Sequence, residues 1–575
     1  MEPTKTYTPI RRFFKLLQPD RKDIYYIYVY AIFSGFITLS LPLGTQAIIG
    51  LIAGGSVSFS WGLLILIVAL GTVLGGVVKI MQMVVTETMQ RKIFTRSSFD
   101  FAFRLPRFSI ETTRGVHMPE LVNRFFDTLT IQKGLPKILM DVTEAVLQIF
   151  FGLLVLVFYN SIFVFFSLFL LAILFSIFYF SGPRGLLTSL KESKYKYSVA
   201  YWLEEIGRTS ATFKLGGYTD LPLKKTDELV VNYLDARKKH FKILTIQYGS
   251  LIVFKTLITL LLLIIGSMLV IDNKINLGQF IAAEIIVLQI ITSVEKLILS
   301  MDTIYDVLTA LEKIGQLTDL PIEEENGFDF ANCDTGKGMS IELKNLSYQF
   351  ADSSHPILNN LDINIAGGES ICISGYNGSG KSTLIKVIAG LFEKYQGQLS
   401  YNGLPAGGFL PSSLRSKIGD LSSKEDIFNG SVLDNITLGS DEISFQDAVE
   451  AAKKAGVHAN ILSLPNGYQT ELLPLGRTLS RTLRTKIVLA RNIACKPSLF
   501  VIEDILNQLE RQDRDKVIDL LTDKKNAWTL VAVSNDPTFA AKCDRVLILS
   551  EGSVVAEGSF QQIKNNEHFS KVFNQ

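Results

Sequence analysis

Gly375-Tyr376-Asn377-Gly378-Ser379-Gly380-Lys381-Ser382-Thr383 is the stretch whose reading decides the fold. The apolar run Ser370–Ser374 before it reads as a buried strand, and Leu384–Phe392 after it has the apolar spacing of a helix. Strand, glycine-rich turn and helix, in that order, make a phosphate-binding loop. Glycines let backbone N–H groups converge on phosphate oxygens, and the helix N-terminus adds partial positive charge. In such a loop Lys381 reaches the β- and γ-phosphates of a nucleotide, and the Ser382 hydroxyl sits on Mg²⁺.

The loop occupies the second half of a 575-residue chain, too long for one domain. The chain is 48% hydrophobic and 19% charged, with a mean hydropathy of +0.28, more apolar than an ordinary soluble protein. A formal net charge of +2 argues against a nucleic-acid binder or an acidic tail. Cys333, Cys372, Cys495 and Cys543 form no CxxC pair, so no zinc or redox motif is expected, and they read as reduced thiols of a cytosolic domain. The five histidines are scattered and suggest no metal site. Met1–Asp23 is polar and basic, without the pattern of a signal peptide.

The first half reads as a membrane domain. Residues 1–23 form a cytoplasmic N-terminus in which Pro9–Leu17 is an interfacial helix. Apolar runs long enough to cross a bilayer follow near Ile24–Ile49, Trp61–Met83, Val142–Tyr159, Ile162–Phe180, Ile246–Ile271 and Leu277–Met301, with a kink expected at Pro42. The connections Gly50–Ser60, Asn160–Ser161 and Asp272–Asn276 hold Lys274 as their one basic residue, whereas the opposite loops are rich in Lys and Arg. The positive-inside rule therefore puts both termini and both long loops in the cytoplasm. Of the charges at membrane depth, Lys79 and Glu144 read as snorkelling, while Glu284 and the pair Glu295–Lys296 are as readily a polar path.

Composition turns polar over residues 317–338, a linker between a transmembrane domain at 24–316 and a soluble domain at 339–575. Met339–Phe350 and Pro356–Ile365 read as strands, Tyr401-Asn402-Gly403 as a hairpin turn, and strands alternate with helices to the end. The fold class is thus multidomain, an all-α six-helix bundle followed by an α/β P-loop domain. Val501-Ile502-Glu503-Asp504 is an apolar strand ending in two acids, where the second metal-binding element of a P-loop ATPase belongs.

Together with Leu105-Pro106, Arg114-Gly115 and Glu205–Leu215 in the cytoplasmic loops, this layout resembles an exporter-type ABC half-transporter over essentially the whole chain. The resemblance implies ATP and Mg²⁺ as ligands. It also implies a homodimer, or a heterodimer with another half-transporter, with two nucleotides sandwiched between loop and signature segments. It implies that Tyr348 stacks on adenine, that Glu503 takes the Mg²⁺-holding aspartate position and that Asp504 takes the catalytic carboxylate position. The glutamine-loop residue falls on Ser423, the switch histidine on Asn535, the signature on Leu479-Ser480-Arg481-Thr482-Leu483, and the D-loop on Asn507-Gln508-Leu509-Glu510.

These positions depart from the family pattern. Arg481 and Thr482 put side chains where the family has bare glycine backbone. Asp504 is one methylene shorter than glutamate, and a base retracted by about an ångström costs ~10²-fold in rate. Asn535 lacks the imidazole's charge, and Ser423 is too short to sense a metal as glutamine does. Nucleotide binding is therefore expected to be intact and hydrolysis impaired. The function implied is an ATP-dependent exporter in the bacterial cytoplasmic membrane, resembling exporters of peptides and proteins through the run Leu41–Ile49. Such exporters work with a periplasmic adaptor and an outer-membrane channel. Lipid or small amphipathic cargo, and a hydrolysis-deficient subunit regulating a competent partner, are the alternatives.

Overall fold

The computed structural model describes residues 8–53, 59–115, 117–334, 336–421, 427–503 and 509–573. Two compact units divide the chain: Met1–Arg107 with Gly115–Pro321, and Phe108–Arg114 with Ile322–Gln575.

The first unit is helical. Its elements are α1 (Pro9–Leu17), α2 (Arg21–Thr38), α3 (Ser40–Ala53) and α4 (Phe59–Arg104). The four-residue α5 (Ile110–Thr113) belongs to the second unit. Then come α6 (Met118–Asn123), α7 (Asp127–Tyr159), α8 (Ile162–Arg208), α9 (Ser210–Leu215), α10 (Leu221–Ile271) and α11 (Leu277–Thr318). Among the described residues, 6 helical segments are long and apolar enough to cross a membrane. The segments from α4 onward have 42 to 51 residues, or about 63–76 Å at 1.5 Å per residue, so they outrun a hydrocarbon core of about 30 Å. The break in the first segment falls at Leu39, between α2 and α3, three residues before Pro42. Proline clashes with the carbonyl four residues back and removes one hydrogen bond, so the chain bends upstream of the ring itself.

The most extensive helix seam joins α7 and α11. Small residues set the close approach: a Cβ on Gly134 would lie 2.4 Å from Val307, which lets the two backbones pack tightly. Charges cross this seam. Lys296 Nζ of α11 lies 2.6 Å from Glu144 Oε2 and 3.3 Å from Asp141 Oδ1 of α7. Glu144, expected to snorkel, is instead buried and paired, because an apolar interior is tolerable to a carboxylate only with a counter-charge. Glu295 does not pair with its neighbour Lys296 but with Lys255 of α10, at 2.5 Å. Successive residues on a helix point about 100° apart, so each charge serves a different seam. Lys79 and Glu284 have exposed side chains.

The second unit is built on two sheets. Its strands are β1 (Ile341–Tyr348), β2 (Leu358–Ile365), β3 (Ser370–Gly375), β4 (Gln396–Tyr401), β5 (Leu404–Pro405), β6 (Ile418–Leu421), β7 (Gly430–Ser431), β8 (Glu471–Leu472), β9 (Leu499–Glu503), β10 (Thr529–Val533), β11 (Arg545–Ser550) and β12 (Ser553–Gly558). An antiparallel sheet has the order β2-β1-β4-β5, and a six-stranded sheet the order β12-β11-β3-β10-β9-β6. In the latter, β11, β3, β10, β9 and β6 run parallel and β12 closes one edge antiparallel. Asn402 and Gly403, with φ of 48° and 77°, make the expected hairpin turn between β4 and β5. Within the stretch read as a linker, Phe330 is fully buried and Glu323 pairs with Arg415, so those residues pack as part of this unit. The four cysteines are free thiols, and burial pushes the Cys495 thiol up to about 11.

Candidate functional site

All six residues of β3 are buried, flanked in parallel by β10 and β11, and the chain leaves this central strand at Gly375. There φ is 155°, and a Cβ would lie 2.3 Å from the Leu549 carbonyl oxygen, so only glycine fits. Helix α12 (Lys381–Ile388) starts three residues earlier than the apolar spacing indicates, with Gly380 as N-cap at φ 100°. It ends before Phe392 because Gly390, at φ 63°, turns the chain out of the helix.

The loop between β3 and α12 forms the rim of a cavity of about 890 Å³ lined by Asn377, Gly378, Gly380, Lys381, Ser382 and Thr383. Gly375, Tyr376 and Ser379 lie behind this rim, with Tyr376 packed on the larger hydrophobic core. Lys381 folds back and donates to the carbonyls of Gly375 (2.8 Å) and Tyr376 (2.7 Å). The Ser382 hydroxyl donates to Glu503 Oε1 at the end of β9. A serine hydroxyl against a carboxylate is an oxygen donor pair of the kind Mg²⁺ takes. The Ser379 hydroxyl is buried with no hydrogen-bond partner, and among the described residues no backbone carbonyl accepts the N–H of Gly378 or Gly380. Open donors around a positive helix end suit a nucleotide's phosphates, so the residues present fit both groups.

The remaining sequence candidates lie elsewhere. Tyr348 does not line the cavity. It is 3% exposed, its ring stacks on Phe392 at 5.2 Å and 8°, and its hydroxyl donates to Glu111 (3.0 Å). Burial first, then the Glu111 carboxylate, push its phenol pKa up. Aromatic lining of the cavity comes instead from Phe350, two residues on, and from Phe392, and the Arg114 guanidinium lies 3.4 Å from the Phe350 ring centroid. Phe350 was not among the expected nucleotide contacts, and Arg114 was expected only as part of a cytoplasmic loop; the signal for Phe350 was the two-residue period of an extended chain, which allows either aromatic to face the loop.

Asn535 does not face the cavity either. Its Oδ1 accepts from the Gly375 N–H and its Nδ2 donates to the Gly375 carbonyl, both at 3.1 Å, so it clamps the base of the loop. Leu479-Ser480-Arg481-Thr482-Leu483 is not part of this cavity. Ser480 caps the helix Arg481–Ala494 by accepting from the Leu483 N–H (3.2 Å), and Arg481 is exposed. Ser423, Asp504, Asn507 and Gln508 lie outside the described residues.

Residues 24–294 match the family described as ABC transporter transmembrane region, and residues 358–507 match the family described as ABC transporter. The chain belongs to the ABC transporters and is a multi-pass membrane protein. It is 28% identical over 254 residues to heavy metal tolerance factor 1 of Caenorhabditis elegans, covering 42% of this chain and 32% of that one. It is 28% identical over 248 residues to a putative multidrug export ATP-binding/permease protein of Staphylococcus aureus (strain NCTC 8325 / PS 47), covering 43% of each. The matched part thus spans less than half the length of these curated relatives. A bacterial Atm1-family ABC exporter solved with ATP bound shares the fold at a TM-score of 0.83 and 18% identity, covering 96% of this chain and 97% of that one.

Proposed function

We propose that this chain is an ATP-dependent exporter subunit that works as a dimer, either of itself or with another half-transporter. The observation that carries the reading is the cradle at Gly375–Thr383, with Ser382 against Glu503, in a chain whose described residues also hold six helical segments long and apolar enough to cross a membrane. In this reading Lys381 leaves the Gly375 and Tyr376 carbonyls for the phosphates of ATP. Phe350 offers its ring to the base, and Asn535 keeps Gly375 in place. Ser382 and Glu503 hold Mg²⁺, which when bound neutralises charge on the phosphate oxygens. The Arg481 side chain occupies a position where the family brings glycine backbone to a phosphate, which makes turnover slow.

The cargo in this reading is a peptide, a protein or a smaller amphipathic molecule moved out of the cytoplasm, the multidrug-export relative favouring the last. Both termini on the cytoplasmic side accord with the loop charges, and the membrane in this reading is a bacterial cytoplasmic membrane. A periplasmic adaptor and an outer-membrane channel follow only for a peptide or protein cargo. The test is phosphate release by the full chain in nanodiscs with ATP and Mg²⁺. Release above a Lys381→Ala control is expected. Release equal to that control would leave the hydrolysis-deficient regulatory subunit as the reading.

A further inference from the structure

The membrane unit contains a second cavity, of about 740 Å³, that none of the transporter motifs touches. It lies between the segment that leads into α7 and the parts of α8, α10 and α11 farthest from the turns Asn160–Ser161 and Asp272–Asn276. Its walls carry four cations, Arg124, Lys194, Lys225 and Lys313, with Tyr197 and Trp202 between them. The two carboxylates on the wall are already engaged: Glu120 with Arg124 (3.1 Å) and Glu312 with Arg12 (3.5 Å).

Lys313 is the informative residue. It is 9% exposed, and among the described residues its ammonium forms no hydrogen bond or ion pair; Asp127 and Glu120 act on it only from beyond contact distance, Asp127 being hydrogen-bonded by Tyr197 and Glu120 paired with Arg124. Lys313 Nζ lies over the face of Tyr197, 5.0 Å from the ring centroid. Arg124 Nε is a second buried donor in the same wall with no partner. A buried ammonium without a directly contacting counter-charge is costly, and such groups are normally paired. Lys225 Nζ lies over Trp202 at 4.2 Å, so its charge too rests on a ring and forms no ion pair among the described residues.

We propose that this cavity binds a small, water-soluble multivalent anion carrying carboxylate or phosphate groups, with Lys313 as its central contact and the aromatic walls taking an organic portion. The site is outside the reach of lipid headgroups. Tyr197 is about 52 Å along α8 from Ile162, while a bilayer with its headgroups is about 40–45 Å thick. A void of this size holds a ligand of several hundred daltons. The inference does not depend on nucleotide turnover and goes beyond the exporter reading, since it concerns a ligand of the helical bundle itself.

The test uses the full chain in zwitterionic nanodiscs, with Trp61→Phe and Trp528→Phe so that Trp202 alone reports. Citrate and pyrophosphate are titrated against its emission. A saturable change is expected, weakened at least about tenfold by Lys313→Met and kept within about threefold by Lys313→Arg, because the charge-assisted contact survives only in the second. Lys194→Gln and Lys225→Gln, at exposed positions, provide the same readout should the Lys313→Met protein fail to stay monodisperse; each is expected to weaken binding severalfold. No saturable change, equal affinity in Lys313→Met, or a change that requires anionic lipid instead of either probe overturns the proposal.

Discussion

Two lysines are almost equally buried and are treated in opposite ways. Lys381, 8% exposed, donates to two backbone carbonyls at 2.8 and 2.7 Å. Lys313, 9% exposed, has a tyrosine face at 5.0 Å and no acid in direct contact. The first is held by the carbonyls of its own loop, which in the proposed function it exchanges for phosphate. The second shares its cavity with three other cations and makes no direct polar contact. Equal burial therefore goes with two kinds of site: a lysine parked on the backbone of its own loop, and one set in a cavity without a contacting partner.

Lys296 marks the satisfied extreme of that comparison, with two carboxylates from α7. Lys296→Met leaves Asp141 and Glu144 without their counter-charge, and unfolding measured in detergent should show a loss of about 2–4 kcal/mol. Adding Asp141→Asn and Glu144→Gln should return most of it. A loss no larger than that of a surface lysine would mean that partner count does not grade these sites.

Next in size is the independence of the other two. Lys313→Met should weaken citrate binding at Trp202 about tenfold while ATP affinity stays within about twofold, measured on the same preparation. Parallel loss of both would tie the cavities together and dissolve the contrast between them. Phe350→Ala should then weaken ATP binding by about five- to tenfold, since stacking on a base is worth about 1–3 kcal/mol. The smallest change belongs to Tyr348→Phe. It removes the hydroxyl bond to Glu111 and should cost about 1 kcal/mol of stability, with ATP affinity within about twofold. The reverse ranking of the two aromatics would return the base-stacking role to Tyr348.

The loop Gly375–Thr383 was legible in the sequence because everything that defines it is local: glycines at fixed offsets, a buried strand before and a helix after. The membrane spans were legible for the same reason. The choice between Tyr348 and Phe350 was not, because it is made by Phe392 and Glu111, the latter 237 residues away along the chain. Asn535 was located by its motif, but its grip on Gly375 follows from the parallel neighbours of β3. Glu144 and Lys296 come from different helices, so their pairing follows from the α7–α11 seam. The Lys313 cavity draws on four separate segments and leaves no local pattern to read.

The central claim is that Gly375–Thr383 holds a nucleotide triphosphate through Lys381. The most direct measurement is equilibrium binding of ATP with Mg²⁺ to the full chain in nanodiscs, wild type against Lys381→Ala. The account predicts saturable binding that the substitution weakens by about a hundredfold, the worth of charge-assisted contacts to phosphate. Absence of saturable binding by the wild type, or equal affinity in the two proteins, would contradict it.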